Sequence, residues 1–256
     1  MLETLYQKLR DLSRQVAGTL EKPSFYRTFP SEIAWSERLL SNDRTVRACR
    51  AQLDEALLEC AHGLCHCEAV ARDAGALVAI EGRMRGLEEG EIGPLAQAAI
   101  IAGLLHDIKR KEQDHAVLGS IEAAQVLGRL EFDQRLTGYI TYAIRNHEAF
   151  KAVCDLGDEA GCLVSDALYD ADKFRWGPEN FTTTLWLIVD DRQMPPDRLH
   201  AVFQEKMRGI ASIKETFRTG TGKKFGPEII EQGITIGNAV FAEMTALMEQ
   251  RSRHAE

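Results

Sequence analysis

The chain has 256 residues, 45% of them hydrophobic and 27% charged, and its 31 Lys+Arg against 39 Asp+Glu leave a net charge of −8. That is the composition of a globular protein with enough apolar residues for one sizeable core or two small ones. A net negative chain repels polyanions, because binding them depends on clustered Lys and Arg displacing counterions, so coating of long nucleic acid is excluded as a function class. From the N-terminus onward, apolar residues recur at three- and four-residue intervals, while period-two runs of Val, Ile, Thr and aromatic residues are scarce. The expected fold class is therefore all-α, with helices over 2–17, 31–40, 43–60, 62–80, 94–107, 114–129, 131–146, 160–172, 179–190, 196–217 and 225–251. The first of these, in MLETLYQKLRDL, alternates charged and apolar residues instead of carrying the apolar core of a secretory signal, so a cytoplasmic protein is expected.

The helix expected over 94–107, PLAQAAIIAGLLHD, is apolar on all sides except Gln97 until its last two residues, as a helix surrounded by other helices reads. Its longest nearly uncharged stretch, 95–105, is shorter than the roughly 20 residues a membrane span needs, and no membrane partner is expected. Pro94 is placed in its first turn, after the acidic GLEEGEIG loop, and Asp114 is placed as the N-cap of the helix opening at His115. RWGPEN (175–180), the pair Pro195 and Pro196, and TGTGKKFGPE (219–228) mark further boundaries. The last of these lacks the G-x-x-x-x-G-K-[S/T] spacing of a phosphate loop and follows no strand, so it reads as a flexible basic connection between two long helices. In the alternative it folds over a site and offers Lys223 or Lys224 to an anion. With no repeat or long linker, 1–256 reads as a single all-α domain: an N-terminal helical extension (1–60), a core (61–178) and C-terminal helices (179–256).

Six cysteines without a C-x-x-C pair read as reduced thiols. Cys60, Cys65 and Cys67 crowd around His62 and His66 but lack the paired spacing of structural zinc. The histidines are more informative. His106 and Asp107 end the buried helix, where a polar group costs free energy unless it is hydrogen-bonded or coordinates a metal. Around them stand His66, His115, His147 and Asp172, and imidazole with carboxylate suits Zn, Mn, Fe or Ni.

Three segments carry a family resemblance: His66-Cys67-Glu68-Ala69-Val70-Ala71, Leu104-Leu105-His106-Asp107-Ile108 and Asp170-Ala171-Asp172-Lys173-Phe174. In order and local context the chain resembles the HD-domain superfamily of metal-dependent phosphohydrolases over roughly 62–176. The resemblance implies that His66, His106, Asp107 and Asp172 hold one divalent ion. His115 and His147 resemble the extra histidines of the dinuclear subgroups, with Asp107 bridging, so one or two divalent ions (Fe, Mn, Ni, Co or Zn) are implied as cofactors. The implied activity is hydrolysis of an ester or anhydride in a small, nucleotide-like phosphorylated substrate, with Asp107 orienting the attacking water. The family's H-D-I-G-K continues here as Ile108-Lys109-Arg110-Lys111, so either Lys109 or Arg110 replaces the usual lysine. Lys109 is placed as catalytic, and Arg110, Arg145 and Lys173 are placed as phosphate contacts, although each taken singly reads as a surface charge.

Other residues have plainer readings. His62 stands one helical turn before His66, where a surface or supporting role outweighs a chelate. Asp166 and Asp170 are either supports for a ligating histidine or solvent-facing carboxylates, and His200 and His254 are expected to be exposed. Tyr169, Phe174 and Trp176 form either an apolar wall for a base or lipid tail or ordinary core. Two rival functions use the same ligands: a diiron centre activating dioxygen, and a non-enzymatic ligand-sensing module.

Overall fold

The computed structural model describes residues 2–53, 63–154 and 156–253, and these are helical with no strand among them. The all-α expectation holds, and no described helix is long and apolar enough to cross a membrane. The helices are α1 (Leu2–Thr19), α2 (Ser24–Thr28), α3 (Pro30–Asn42), α4 (Arg44–Arg50), α5 (Leu64–Met84), α6 (Glu89–Leu105), α7 (His115–Arg129), α8 (Gln134–Arg145), α9 (Glu159–Phe174), α10 (Leu185–Asp191), α11 (Pro196–Ser212) and α12 (Gly220–Arg253). A π-helical turn (Asn180–Thr184) leads into α10, and a 3₁₀ turn (Ile213–Glu215) follows α11.

The core is built on α5 and α6. Both are buried around most of their circumference, with Ile100, Ile101, Leu104 and Leu105 of α6 and Leu77 and Val78 of α5 fully enclosed. Their backbones meet at Gly103, where an added Cβ would lie 2.5 Å from the Ala71 Cα and 2.6 Å from its nitrogen. Helices α8 and α9 pack on this pair, α7 packs on α8, and α3 and α4 close the other side. Helices α1 and α11 lie on the long α12, so the two ends of the chain pack together.

Several boundaries differ from expectation. Helix α6 starts five residues before Pro94, because Glu88 and Glu91 form a capping box and Glu89 and Glu91 favour the positive end of the helix dipole. Asp114 does precede α7, but in a left-handed conformation (φ 55°) and without a side-chain cap bond. The helix expected over 43–60 begins as α4, capped by Asp43, whose carboxylate accepts from the Thr45 and Val46 amides, both at 2.9 Å. Its later part, with Cys60 and His62, lies outside the described residues, as does His254.

The expected basic connection at 219–228 is instead the start of α12, which runs unbroken through it. Two carboxylates from other helices hold this start. Asp170 on α9 accepts from the Arg218 and Thr219 amides, both at 2.8 Å, and from the Thr219 hydroxyl at 2.7 Å. Glu81 on α5 accepts from the Thr221 amide and hydroxyl, each at 2.7 Å, and the Thr219 Oγ accepts from the Gly222 amide at 2.7 Å. These bonds satisfy donors that a helix start leaves unpaired, so the Thr-Gly-Thr-Gly run is packed against the protein's own anions. Glycine is required at 222, where a Cβ would sit 2.0 Å from the Asp170 carboxylate. Lys223 and Lys224 are exposed on α12, so the strap-like alternative is replaced by a fixed helix.

Two measurements test this packing. Gly103→Ala should cost about 1–3 kcal/mol in urea unfolding through overpacking against Ala71, whereas Gly138→Ala on α8, with nothing within 4 Å of the new methyl, should gain about 0.5–1 kcal/mol. Thr219→Val should cost about 1–2 kcal/mol by removing the cap of α12; a change near zero would mean that the cap carries no load.

Candidate metal centre

Helix ends assemble the site. His66 is in the first turn of α5, His106 caps the C-terminus of α6 with Asp107 next, and His115 opens α7. His147 follows the C-cap of α8, and Asp172 is in the last turn of α9. Helix C-termini leave carbonyls without partners, and two histidines use them. The Nδ1–H of His106 donates to the Gly103 carbonyl at 2.8 Å, and that of His147 to the Ile144 carbonyl at 2.6 Å. A neutral ring that donates from Nδ1 presents a bare Nε2 lone pair on its other side, the tautomer a metal ligand needs.

Those Nε2 atoms converge. His66 and His106 face each other at 3.3 Å, and Asp172 Oδ1 lies 3.4 Å from the first and 3.8 Å from the second. His115 and His147 face each other at 3.3 Å, and Asp107 Oδ1 lies 3.7 Å and 3.6 Å from them. The other Asp107 oxygen, Oδ2, is 3.5 Å from the His106 Nε2, so the carboxylate spans both clusters. Within His66/His106/Asp107, and within Asp107/His115/His147, ligand atoms all lie within 4.8 Å of one another, and neither group contains a cysteine. Ligands bound at about 2.0–2.2 Å to one ion stand roughly 3–3.7 Å apart, and the spacings here run from 3.3 to 3.8 Å. The donor set thus fits two divalent ions sharing Asp107, and the two groups are compatible with metal binding.

The electrostatics favour ligand protonation states. Burial pushes the His106 imidazole down to about 4, against the pull of Asp107 and Asp172, so the ring is neutral at pH 7. His115 is also lowered, by burial first and then by Arg110. Burial alone would raise the Asp172 carboxyl, but the Lys173 ammonium and the His66 hydrogen bond hold it well below the usual carboxylate range. Lys173 is buried and donates to Asp172 Oδ2 at 2.5 Å and to the His147 carbonyl at 3.0 Å.

The four basic residues singled out by sequence separate here. Lys109 pairs with Glu122 of α7 at 3.2 Å, and Arg145 is exposed. Lys173 is committed to Asp172 and the His147 carbonyl, so it positions two candidate ligands. Arg110 reaches the centre: its Nη1 donates to the His115 Nε2 at 2.9 Å, and its Nε lies 3.8 Å from Asp107 Oδ2. Asp170 is not solvent-facing but buried against α12, and burial raises its carboxyl to about 7 despite its three donors. His200, expected to be exposed, is half-buried, stacked on Phe241 and bonded to Thr245 Oγ1 at 2.9 Å. Phe174 packs in the core against Phe25 and Phe217, and Tyr169 is buried beneath Arg218; Trp176 alone of the three lines a cavity beside Asp172.

Sequence reasoning missed the Gly103 and Ile144 carbonyls, and the available signal was each histidine's place three residues after them at a helix end. It also missed Asn146, whose side chain accepts from the Cys154 amide at 3.1 Å and ties down the loop following His147. Comparison with protein-family models, curated proteins and solved structures gives no match.

Metal content checks the geometry. Asp107→Ala should lower both equivalents measured by elemental analysis, whereas His115→Ala should lose about one and retain the site formed by His66, His106 and Asp172. In metal-free protein, His106 binds fewer protons folded than unfolded between about 4, to which burial lowers it, and the ordinary 6.5. Stability should therefore fall as pH drops through that window, by an order of 3 kcal/mol, and His106→Gln should flatten the profile.

Proposed function

We propose that this chain is a metal-dependent phosphohydrolase of the HD-domain type, cleaving an ester or anhydride of a small phosphorylated molecule. One observation carries the reading. Residues spread from 66 to 172 bring four imidazole Nε2 atoms and two carboxylates toward common points, and they are the residues on which the family resemblance rests. Two divalent ions held together in this way lower the pKa of a shared water toward neutrality and offset charge on phosphoryl oxygens during in-line attack.

The chain's own groups have separable roles. His66, His106 and Asp172 would hold one ion and His115 and His147 the other, with Asp107 available to both. Lys173 fixes the Asp172 carboxylate and, through the His147 carbonyl, the end of α8. Arg110 is the phosphate-binding cation. It gives up its bond to His115 when that nitrogen acts as a ligand, and its donors then become available to a phosphoryl oxygen, which a guanidinium can take in bidentate fashion. Lys109, paired with Glu122, has no part in this.

A phosphate-release screen over nucleotides, sugar phosphates and alkyl phosphates, with Mn, Fe, Ni, Co and Zn each supplied, tests the proposal. Asp107→Ala should abolish turnover. Arg110→Ala should lower kcat/KM by about 10²–10³, the usual loss of one charge-stabilising donor, while Lys109→Ala stays within about twofold of wild type. Iron-dependent dioxygen consumption without phosphate release would replace this reading with the diiron one. Full metal loading with no turnover, but with ligand-dependent thermal shifts, would replace it with a sensor.

A further inference from the structure

A cavity of about 320 Å³ shares His66, Asp172 and Arg110 with the metal centre. Its remaining wall comes from the π-helical turn, α10 and α11, and is mostly hydrocarbon: Phe181, Ile188, Leu199, Val202, Phe203 and Met207 line it. We infer that this cavity binds the aliphatic chain of a single-chain phosphate ester whose phosphate sits at the metal centre. The inference rests on the reading of that centre as a phosphohydrolase site, and it specifies the substrate class.

Three observations lead to this ligand. A nucleobase buried here would lose water from its ring nitrogens and exocyclic groups and find few replacements, because the uncharged polar groups of the lining are the Asn180 and Thr184 side chains and the Trp176 indole N–H. Arg175, the further buried cation, is already bonded to Asp73, Tyr26 and Glu179. A methylene chain has no such need and gains about fourfold in affinity per buried CH₂. The volume, near the lower end of small-molecule sites at roughly 300–1,000 Å³, suits one chain better than two. Finally, Asn180–Thr184 is a π-helical turn, a rare local widening that concentrates at functional sites, and it contributes Asn180, Phe181 and Thr184 to the lining. The exposed Arg192 and Lys206 also border the cavity and leave it a charged, wet edge.

The test is titration calorimetry of metal-loaded protein with n-alkyl phosphates from butyl to decyl, each below its micelle concentration. Affinity should rise about fourfold per added methylene over the first several carbons. Ile188→Trp and Val202→Trp, at half-buried lining positions, should each weaken decyl phosphate binding at least tenfold while leaving metal content unchanged. Equal affinity for butyl and decyl phosphate in the wild type overturns the inference, whatever the variants do. Chain-length-dependent binding with no phosphate released would keep the chain site and remove the phosphohydrolase reading. Hydrolysis that is indifferent to chain length would keep the phosphohydrolase reading and remove the chain site.

Discussion

Gly103 lies against the backbone of Ala71, and the geometry of the candidate metal centre follows from that contact. His66 stands five residues before Ala71 on α5, and His106 three residues after Gly103 on α6, so the approach of the two helices sets the distance between the two imidazoles. A side chain at 103 would wedge the helices apart, and packed interiors do not absorb a methyl group in backbone contact. The apolar enclosure of α6 serves the same end. It holds the helix in place so that its C-terminus, where carbonyls lack partners, delivers His106 in one orientation.

The centre is an arrangement compatible with a cation. His106 and His147, each donating from Nδ1 to a helix-end carbonyl, present bare Nε2 atoms beside the two carboxylates, and burial keeps the His106 ring neutral. Asp107 and Asp172 add two negative charges. Two divalent ions would bring +4 against these two carboxylates, so a protein of net charge −8 can still hold a locally positive site for a small phosphate. Lys173 and Arg110 differ in their surroundings: the buried lysine holds the Asp172 carboxylate and the His147 carbonyl, while the exposed arginine bonds His115 at the edge of the cluster.

The start of α12 shows how a suggestive motif is decided by its surroundings. Thr219-Gly220-Thr221-Gly222 has the small residues and free amides of an anion-binding turn, and it does bind anions. They are the side chains of Asp170 and Glu81, which come from 48 to 140 residues away in sequence. Through Asp170, two residues from Asp172, this anchoring also ties the long C-terminal helix to the helix that carries a candidate ligand.

Sequence alone determined the helical class, from apolar spacing, and the candidate ligands, from the order of His66, His106, Asp107, His115, His147 and Asp172. Both are legible locally, since periodicity sets the buried face of a helix and residue chemistry sets what a buried polar group can do. Tertiary structure decided what depends on partners far along the chain. Lys109 and Arg110 are adjacent and chemically alike on paper, yet the first meets Glu122 and the second His115, because successive residues point in different directions. The 219–228 segment became helix because distant carboxylates satisfied its amides, and the apolar cavity exists only because α10, α11 and the π-helical turn close around Asp172. A charge, a cap or a cavity wall is defined by what it faces, and which residues face one another is set by packing.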